Sequence, residues 1–191
     1  PKDPLHSIRL AQVAFQMENY NLMESACNDV LKINPSLAMP HYLLGMKAKA
    51  KGDMIKAIVE TTQAISIKED FYDAYMLRAQ TLFEMHQFGD AEKDIDFILE
   101  HTEPTEDTIL FKAETSASLG NINNAKELFE NIIDYNPFAV QAYTGLASVL
   151  IQQEKIDEAQ RVIDLAIEQM PENAELYKVR GGIKYLTDDK I

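Results

Sequence analysis

Four histidines and one cysteine are the side chains that could act as nucleophile, general base or metal ligand near neutral pH. They are His6, Cys27, His41, His86 and His101. No two histidines lie three or four residues apart, as a metal site on one helix would require. The patterns HExxH, CxxC, GxxxxGK[ST] and GxSxG do not occur. The sequence therefore predicts no catalytic residue, no metal site and no cofactor, and we expect the chain not to be an enzyme.

The elements that would position any functional side chain recur every 34 residues, without insertion or deletion. Repeats 1 to 6 cover residues 4–37, 38–71, 72–105, 106–139, 140–173 and, as a partial unit, 174–191. A fixed period of 20–50 residues is typical of stacked supersecondary units, and 34 is the length of a helix–turn–helix repeat. Solenoids of this kind present surfaces, so the pattern favours a binding function over a chemical one.

Three positions, counted from the start of each repeat, carry residues that allow close packing. Position 8 is always small: Ala11, Gly45, Ala79, Ala113, Ala147 and Gly181. Position 20 is Met23, Ala57, Ala91, Ala125 and Ala159, and position 27 is Val30, Ala64, Ile98, Ile132 and Ala166. A small side chain lets two helix axes approach to the short end of their usual range. Proline at position 32 of repeats 1, 4 and 5 predicts the end of the second helix.

With small residues, turn and proline at this spacing, the chain resembles the tetratricopeptide repeat family over residues 4–191. The resemblance implies an all-α fold, a right-handed superhelical solenoid of antiparallel helix pairs, forming one domain over residues 1–191. It implies about eleven helices, with turns near 18–20, 52–54, 86–89, 120–122 and 154–156. Position 4, often aromatic in this family, departs from the pattern in three repeats, where it is Ser7, His41 and Ile109.

Composition limits the location and partners of the chain. Hydrophobic residues make up 46% of it, and no apolar run is long enough to span a membrane. Cys27 lies at a core position and is the only cysteine, which excludes an internal disulfide and favours a reducing compartment such as the cytoplasm. The start at Pro1 and the end within repeat 6 indicate a piece of a longer protein.

Negative charge is concentrated in the later repeats. The net charge is −13, and repeats 3, 4 and 5 contribute −6, −4 and −4. Such a field repels phosphate backbones, so nucleic acid is not an expected partner. A solvated acidic exterior explains the charge, and steering of a basic protein partner is the alternative.

Position 7 is cationic in three repeats, although it faces inward in the family. These residues are Arg78, Lys112 and Arg180. A cation on a packed face needs a partner, because an isolated buried charge is costly. The sequence predicts a structural ion pair between Arg78 and Asp94, with Asp96 or Glu60 in reserve. Ligand binding by Arg78 is the alternative.

The first helices carry an apolar stripe rich in methionine and aromatic residues. In the family these helices line the concave wall, and here that wall would begin with Ile8, Arg9, Gln12, Phe15 and Leu43. The predicted peptide-binding residues are Tyr42, Met46, Met76, Leu77, Phe83, Leu110 and Phe111. Large apolar patches mark interaction sites, and methionine adapts to varied ligands. Packing of these residues against neighbouring first helices is the alternative.

The carboxylate clamp, with which some family members hold the acidic tails of chaperones, is not expected here. It needs lysine, asparagine and arginine at defined positions of three successive repeats. The corresponding residues are Ile8, Gln12, Leu43, Asp73 and Leu77, or, one repeat later, Tyr42, Met46, Leu77, Asp107 and Phe111. None supplies the required cation or asparagine, and the two aspartates would repel a carboxylate.

The sequence thus predicts a protein–protein interaction module that binds an extended or helical peptide through apolar anchors, with basic groups towards repeats 3 to 5. Two other functions stay open at this point. The solenoid could be the regulatory or localising arm of a larger enzyme, or a structural piece that self-associates. A monomer is favoured over an oligomer.

Overall fold

The computed structural model describes residues 3–188, and every regular element within them is an α-helix. In chain order the helices are α1 (Pro4–Gln16), α2 (Tyr20–Ile33), α3 (Ala38–Ala50), α4 (Met54–Ile67), α5 (Tyr72–Glu84), α6 (Phe88–His101), α7 (Glu106–Ser118), α8 (Ile122–Tyr135), α9 (Val140–Gln152), α10 (Ile156–Gln169) and α11 (Ala174–Asp188). None of these helices combines the length and apolar character that a membrane span requires. The predicted all-α repeat fold is confirmed.

The helices keep the 34-residue register. Each first helix begins at position 1 of its repeat and each second helix at position 17. The turns within the repeats occupy residues 17–19, 51–53, 85–87, 119–121 and 153–155, within two residues of the predicted ones. Turns this short fold each pair into an antiparallel hairpin of helices.

The same residue of every turn adopts a left-handed backbone conformation. Position 15 has φ of 54° at Glu18, 78° at Gly52, 59° at His86, 81° at Gly120 and 61° at Glu154. A positive φ is easy for glycine and costly for residues with a Cβ. The turn geometry therefore overrides residue preference in three of the five repeats.

Side chains next to the turns satisfy the exposed ends of several helices. Asn19 and Asp53 cap α2 and α4 by accepting hydrogen bonds from the backbone N–H groups of Leu22 and Lys56, at 3.2 and 3.1 Å. Thr105 caps α7 in the same way. Such caps typically stabilise a helix by about 1 kcal/mol.

The close-packing positions behave as predicted, with one exception. All residues at positions 20 and 27 are buried, and so is position 8 in repeats 1 to 5. At Gly45 an added Cβ would lie 2.9 Å from Thr61 Cγ2, so the small residue is required there. Gly181 differs, because no described atom lies within 4 Å of its hypothetical Cβ. The expectation that Gly181 serves close helix packing is wrong within the described residues.

The described residues form two compact units, one ending at His101 and the other beginning at Thr102. The core of unit 1 includes an apolar cluster around Met23 and another around Phe71. Unit 2 has one extended apolar cluster that includes Phe129, Tyr143 and Ile163. That residues 1–191 act as a single domain stays a prediction, and residues 189–191 of repeat 6 lie outside the described part.

Candidate functional site

An open groove of about 590 Å³ lies on the first helices of repeats 1 and 2. We call it the α1–α3 groove; its lining residues are Arg9, Gln12, Val13, Phe15, Gln16, Tyr42, Leu43 and Met46. Phe15, Tyr42 and Met46 are half-buried, whereas Val13 is exposed. A peptide side chain entering the groove would therefore meet an apolar floor.

The groove exists because α1 and α3 contact each other and both turn positions 5, 6, 9 and 12 to one side. Tyr42 is held there by its neighbours, since its ring lies 5.0 Å from the ring of Phe71. Burial, together with the nearby Asp73, raises the pKa of Tyr42 above its usual value. Its phenol therefore stays neutral and can donate a hydrogen bond to a ligand.

The structure brings two of the seven predicted binding residues together in this groove, Tyr42 and Met46. Met76, Leu77 and Phe83 lie on α5, half-buried and outside the groove lining. The ring of Phe83 packs 5.1 Å from that of Phe88 in its own repeat.

Leu110 and Phe111 are half-buried on α7 of unit 2, and Leu110 packs against the core of that unit. That they extend the same binding surface stays a prediction. Sequence reasoning missed Val13, which lies at position 10. Val13 could have been found as an apolar residue that lies one helical turn from Arg9, on the exposed side of α1.

Charged groups around the groove differ in how far they are already engaged. Lys47 donates to Glu24 at 2.6 Å, and Lys49 donates to Glu84 at 3.0 Å, so both cations of α3 join neighbouring repeats. The bond to Lys47 lowers the pKa of Glu24. Arg9 is exposed in the groove lining and has no ion-pair partner within residues 3–188. It is the cation that a ligand could reach.

Arg78 and Asp94 form a two-pronged contact between α5 and α6. Arg78 Nε donates to Asp94 Oδ2 at 2.8 Å, and a terminal nitrogen donates to Asp94 Oδ1 at 2.7 Å. The other terminal nitrogen donates to Thr62 Oγ1 at 3.1 Å, which adds α4 to the contact. Asp94 is buried and the Arg78 side chain is 20% exposed. The hydrogen bonds to Asp94 raise the pKa of Arg78, so the guanidinium stays charged.

The two reserve partners predicted for Arg78 have other surroundings. Glu60 Oε2 lies 2.8 Å from Nδ1 of His41, the residue at position 4 of repeat 2. Asp96 lies on α6 and is half-buried. The geometry thus gives Arg78 a single carboxylate partner among its predicted candidates.

Glu114 places a half-buried carboxylate on α7, at position 9 of repeat 4. Burial raises the pKa of this carboxyl above its usual value. No cation pairs with it in the part of the chain that the structure describes. Among the described residues, Glu114 is therefore a carboxyl of unit 2 without a cationic partner, as Arg9 is a cation of unit 1 without an ion-pair partner.

The side chains that could act as nucleophiles, bases or metal ligands lie apart from one another. Across residues 3–188, no three His, Cys, Asp or Glu side chains gather as metal ligands. Cys27 is buried, and desolvation raises the pKa of its thiol to about 12. A thiol in such surroundings is unreactive because the thiolate is the nucleophile.

The repeat register, the buried small residues and the paired helices agree with a known family model. The model for the tetratricopeptide repeat matches residues 117–183. The chain has the helical repeat fold of tetratricopeptide repeat proteins. No curated protein sequence matches it.

Solved structures of tetratricopeptide repeat proteins share the fold. A tetratricopeptide repeat protein from Parabacteroides merdae is 19% identical, with a TM-score of 0.84 over 97% of this chain and 73% of its own. YrrB, described as having an unusual peptide-binding site, is 16% identical, with a TM-score of 0.79 over 94% and 92%. MamA from Desulfovibrio magneticus is 10% identical, with a TM-score of 0.82 over 91% and 98%. At these identities the likeness shows the fold alone.

Proposed function

We propose that this tetratricopeptide repeat chain binds a partner protein by taking one of its peptide segments into the α1–α3 groove. The fold supports a protein-interaction scaffold in general. The observation that carries the specific proposal is the groove itself, about 590 Å³ with an apolar floor formed by Phe15, Tyr42 and Met46. Ligand pockets of this size hold one or two side chains in a concave, mostly apolar surface.

The charges beside the groove suggest the direction of the peptide. Arg9, exposed in the lining, favours a carboxylate at the α1 end. Asp73 is exposed at the start of α5 and favours a basic residue towards the other end. The expected ligand has an apolar or aromatic anchor with an acidic residue on one side and a basic residue on the other. Its backbone is extended or helical.

The predicted residues beyond the groove have supporting parts in this proposal. Met76 and Leu77 of α5 would contact the continuation of the peptide, since α3 and α5 touch within unit 1. Leu110 and Phe111 would offer a further contact surface on unit 2. We expect their contribution to be smaller than that of Tyr42 and Met46, because a few well-placed anchors dominate most interfaces.

A selection from a random peptide library displayed on phage, followed by fluorescence polarisation with the selected peptide, tests the proposal. Met46→Glu places a charge in the apolar floor and should weaken binding about tenfold or more. Ile55→Glu is the matched control, since Ile55 is an exposed apolar residue on α4, outside the groove. Circular dichroism should show the same helicity for both variants. Normal binding by Met46→Glu would contradict the proposal.

A further inference from the structure

A second apolar pocket, of about 480 Å³, lies between the two helices of repeat 4 and the residues just before them, and thus in the other unit. We call it the repeat-4 pocket; its lining residues are Pro104, Thr105, Glu106, Ile109, Asn131, Ile132 and Tyr135. Ile109 is its residue at position 4, where the family's aromatic side chain is replaced. The origin of the pocket follows from a comparison with the neighbouring repeats.

In repeats 3 and 5, position 4 is tyrosine, and the tyrosine is packed. Tyr75 stacks on Phe97 with ring centroids 4.4 Å apart, and Phe97 stacks on His101 at 4.2 Å. Tyr143 is 2% exposed within the core of unit 2. An aromatic ring of the chain itself therefore fills the space between the two helices in these repeats.

Repeat 4 lacks this ring. Ile109 replaces the tyrosine, and Asn131 stands at the position that Phe97 has in repeat 3. Tyr135, at the position of His101, is 87% exposed and has no ring partner among the described residues. The pocket thus lies where repeats 3 and 5 hold an aromatic side chain, and its aromatic wall, Tyr135, is left unstacked.

Polar groups at the rim define what could enter. The side-chain amide of Asn131 makes no hydrogen bond within residues 3–188, so it can pair with a peptide backbone. Glu106 is exposed in the lining and accepts a hydrogen bond from Asn136 at 2.8 Å. Its neighbours Glu103 and Asp107 are also exposed. The rim is therefore anionic, and its charge complements a basic group next to the aromatic one.

We propose that the repeat-4 pocket binds an aromatic side chain of a partner protein, flanked by a lysine or arginine. The guest ring would occupy the space that tyrosine fills in repeats 3 and 5 and would stack on Tyr135. A buried aromatic side chain removes 150–250 Å² from water, and ring stacking adds to that gain. This site is separate from the α1–α3 groove, so either can fail without the other.

A tryptophan peptide is a clean probe, because the chain has no tryptophan. Acetyl-Lys-Trp-Lys-amide should show a saturable blue shift of its fluorescence on titration with the protein. Acetyl-Glu-Trp-Glu-amide should bind several-fold more weakly because the rim repels it. Equal binding of the two peptides, or no saturable shift, would overturn the proposal.

The decisive variant fills the repeat-4 pocket with a side chain of the protein itself. Ile109→Tyr restores the residue type of repeats 3 and 5 and should weaken binding of the basic probe about tenfold. The matched control is Leu119→Tyr, at the exposed residue that directly follows the same helix, which should bind as the parent does. If Ile109→Tyr fails to fold, Tyr135→Ala removes an exposed ring without touching the core and should also weaken binding. Unchanged binding by the folded variant would contradict the proposal.

A second copy of this chain is the competing occupant, since Phe138 and Tyr185 are exposed aromatic residues. Sedimentation equilibrium of the parent and Ile109→Tyr distinguishes the two cases. A monomer in both supports a separate partner. Self-association that Ile109→Tyr abolishes would replace our proposal by one in which the pocket joins two copies.

Discussion

Unit 1 and unit 2 stack the same repeat and both pack apolar residues between successive repeats, but unit 1 adds short polar contacts at its junctions. In unit 1, Lys47, Lys49 and Arg78 each reach a polar group of a neighbouring repeat, at 2.6 to 3.1 Å. In unit 2, Phe129 of repeat 4 packs beneath Gly145 of repeat 5, inside a continuous apolar cluster. The 34-residue pattern thus determines which positions are in close contact. The residues that join successive repeats can be either polar or apolar.

This difference means that the two units should respond to different substitutions. Removing one member of a buried polar contact leaves its partner without compensation, which is costly. An apolar junction is instead sensitive to shape, because interiors are close-packed. The three substitutions below, in order of expected effect, test a buried polar contact of unit 1, the apolar junction between repeats 4 and 5, and a half-buried carboxyl of unit 2.

Asp94→Ala should cause the largest loss, about 3 kcal/mol in the free energy of unfolding of unit 1. It leaves the half-buried Arg78 guanidinium without its carboxylate. Urea denaturation followed by circular dichroism measures the total, and hydrogen exchange of the α5 and α6 amides assigns the loss to unit 1. The double variant Arg78→Met with Asp94→Leu is the control and should recover much of the loss. Unchanged stability of Asp94→Ala would show that the pair is not structural.

Gly145→Ala should destabilise unit 2 by about 1–3 kcal/mol, although alanine favours helices. The added Cβ would collide with the ring of Phe129, and a buried ring cannot move aside easily. Gly181→Ala is the matched control on a helix with open space, and it should stabilise by up to about 1 kcal/mol. Thermal unfolding of both variants gives the comparison. A gain in both would mean that the apolar junction is loosely packed.

Glu114→Gln should have the smallest effect, and the effect should depend on pH. Burial raises the pKa of Glu114 in the folded state above its unfolded value. Such a group contributes its full stability below the unfolded pKa and loses it as the pH rises through the folded pKa. The glutamine variant should therefore be more stable than the parent near neutral pH and no longer so below about pH 4. Glu127→Gln, at an exposed site on α8, is the control for removing a carboxylate that is not buried.

The sequence predicted the helices and their turns well, because small residues at positions 8, 20 and 27 report the close contacts directly. The Arg78–Asp94 geometry was also accessible, since both residues lie on the paired helices of one repeat. How deeply the residues of the binding surface are buried could not be predicted from the sequence. Met76 and Phe83 are half-buried, which a position count does not reveal. Ile109 was visible as a departure from the aromatic pattern, but only Asn131 and Tyr135 show that the space stays open.

The left-handed turn residues carry a consequence for how this protein tolerates change. Glu18, His86 and Glu154 hold a conformation that Gly52 and Gly120 adopt at little cost. A residue with a Cβ costs about 1–2 kcal/mol more there, partly offset by the entropy that glycine loses on folding. Three glycine substitutions would thus add stability without touching any proposed binding surface. The added stability would allow destabilising substitutions in the α1–α3 groove that favour new partners, while the chain stays above the stability that folding requires.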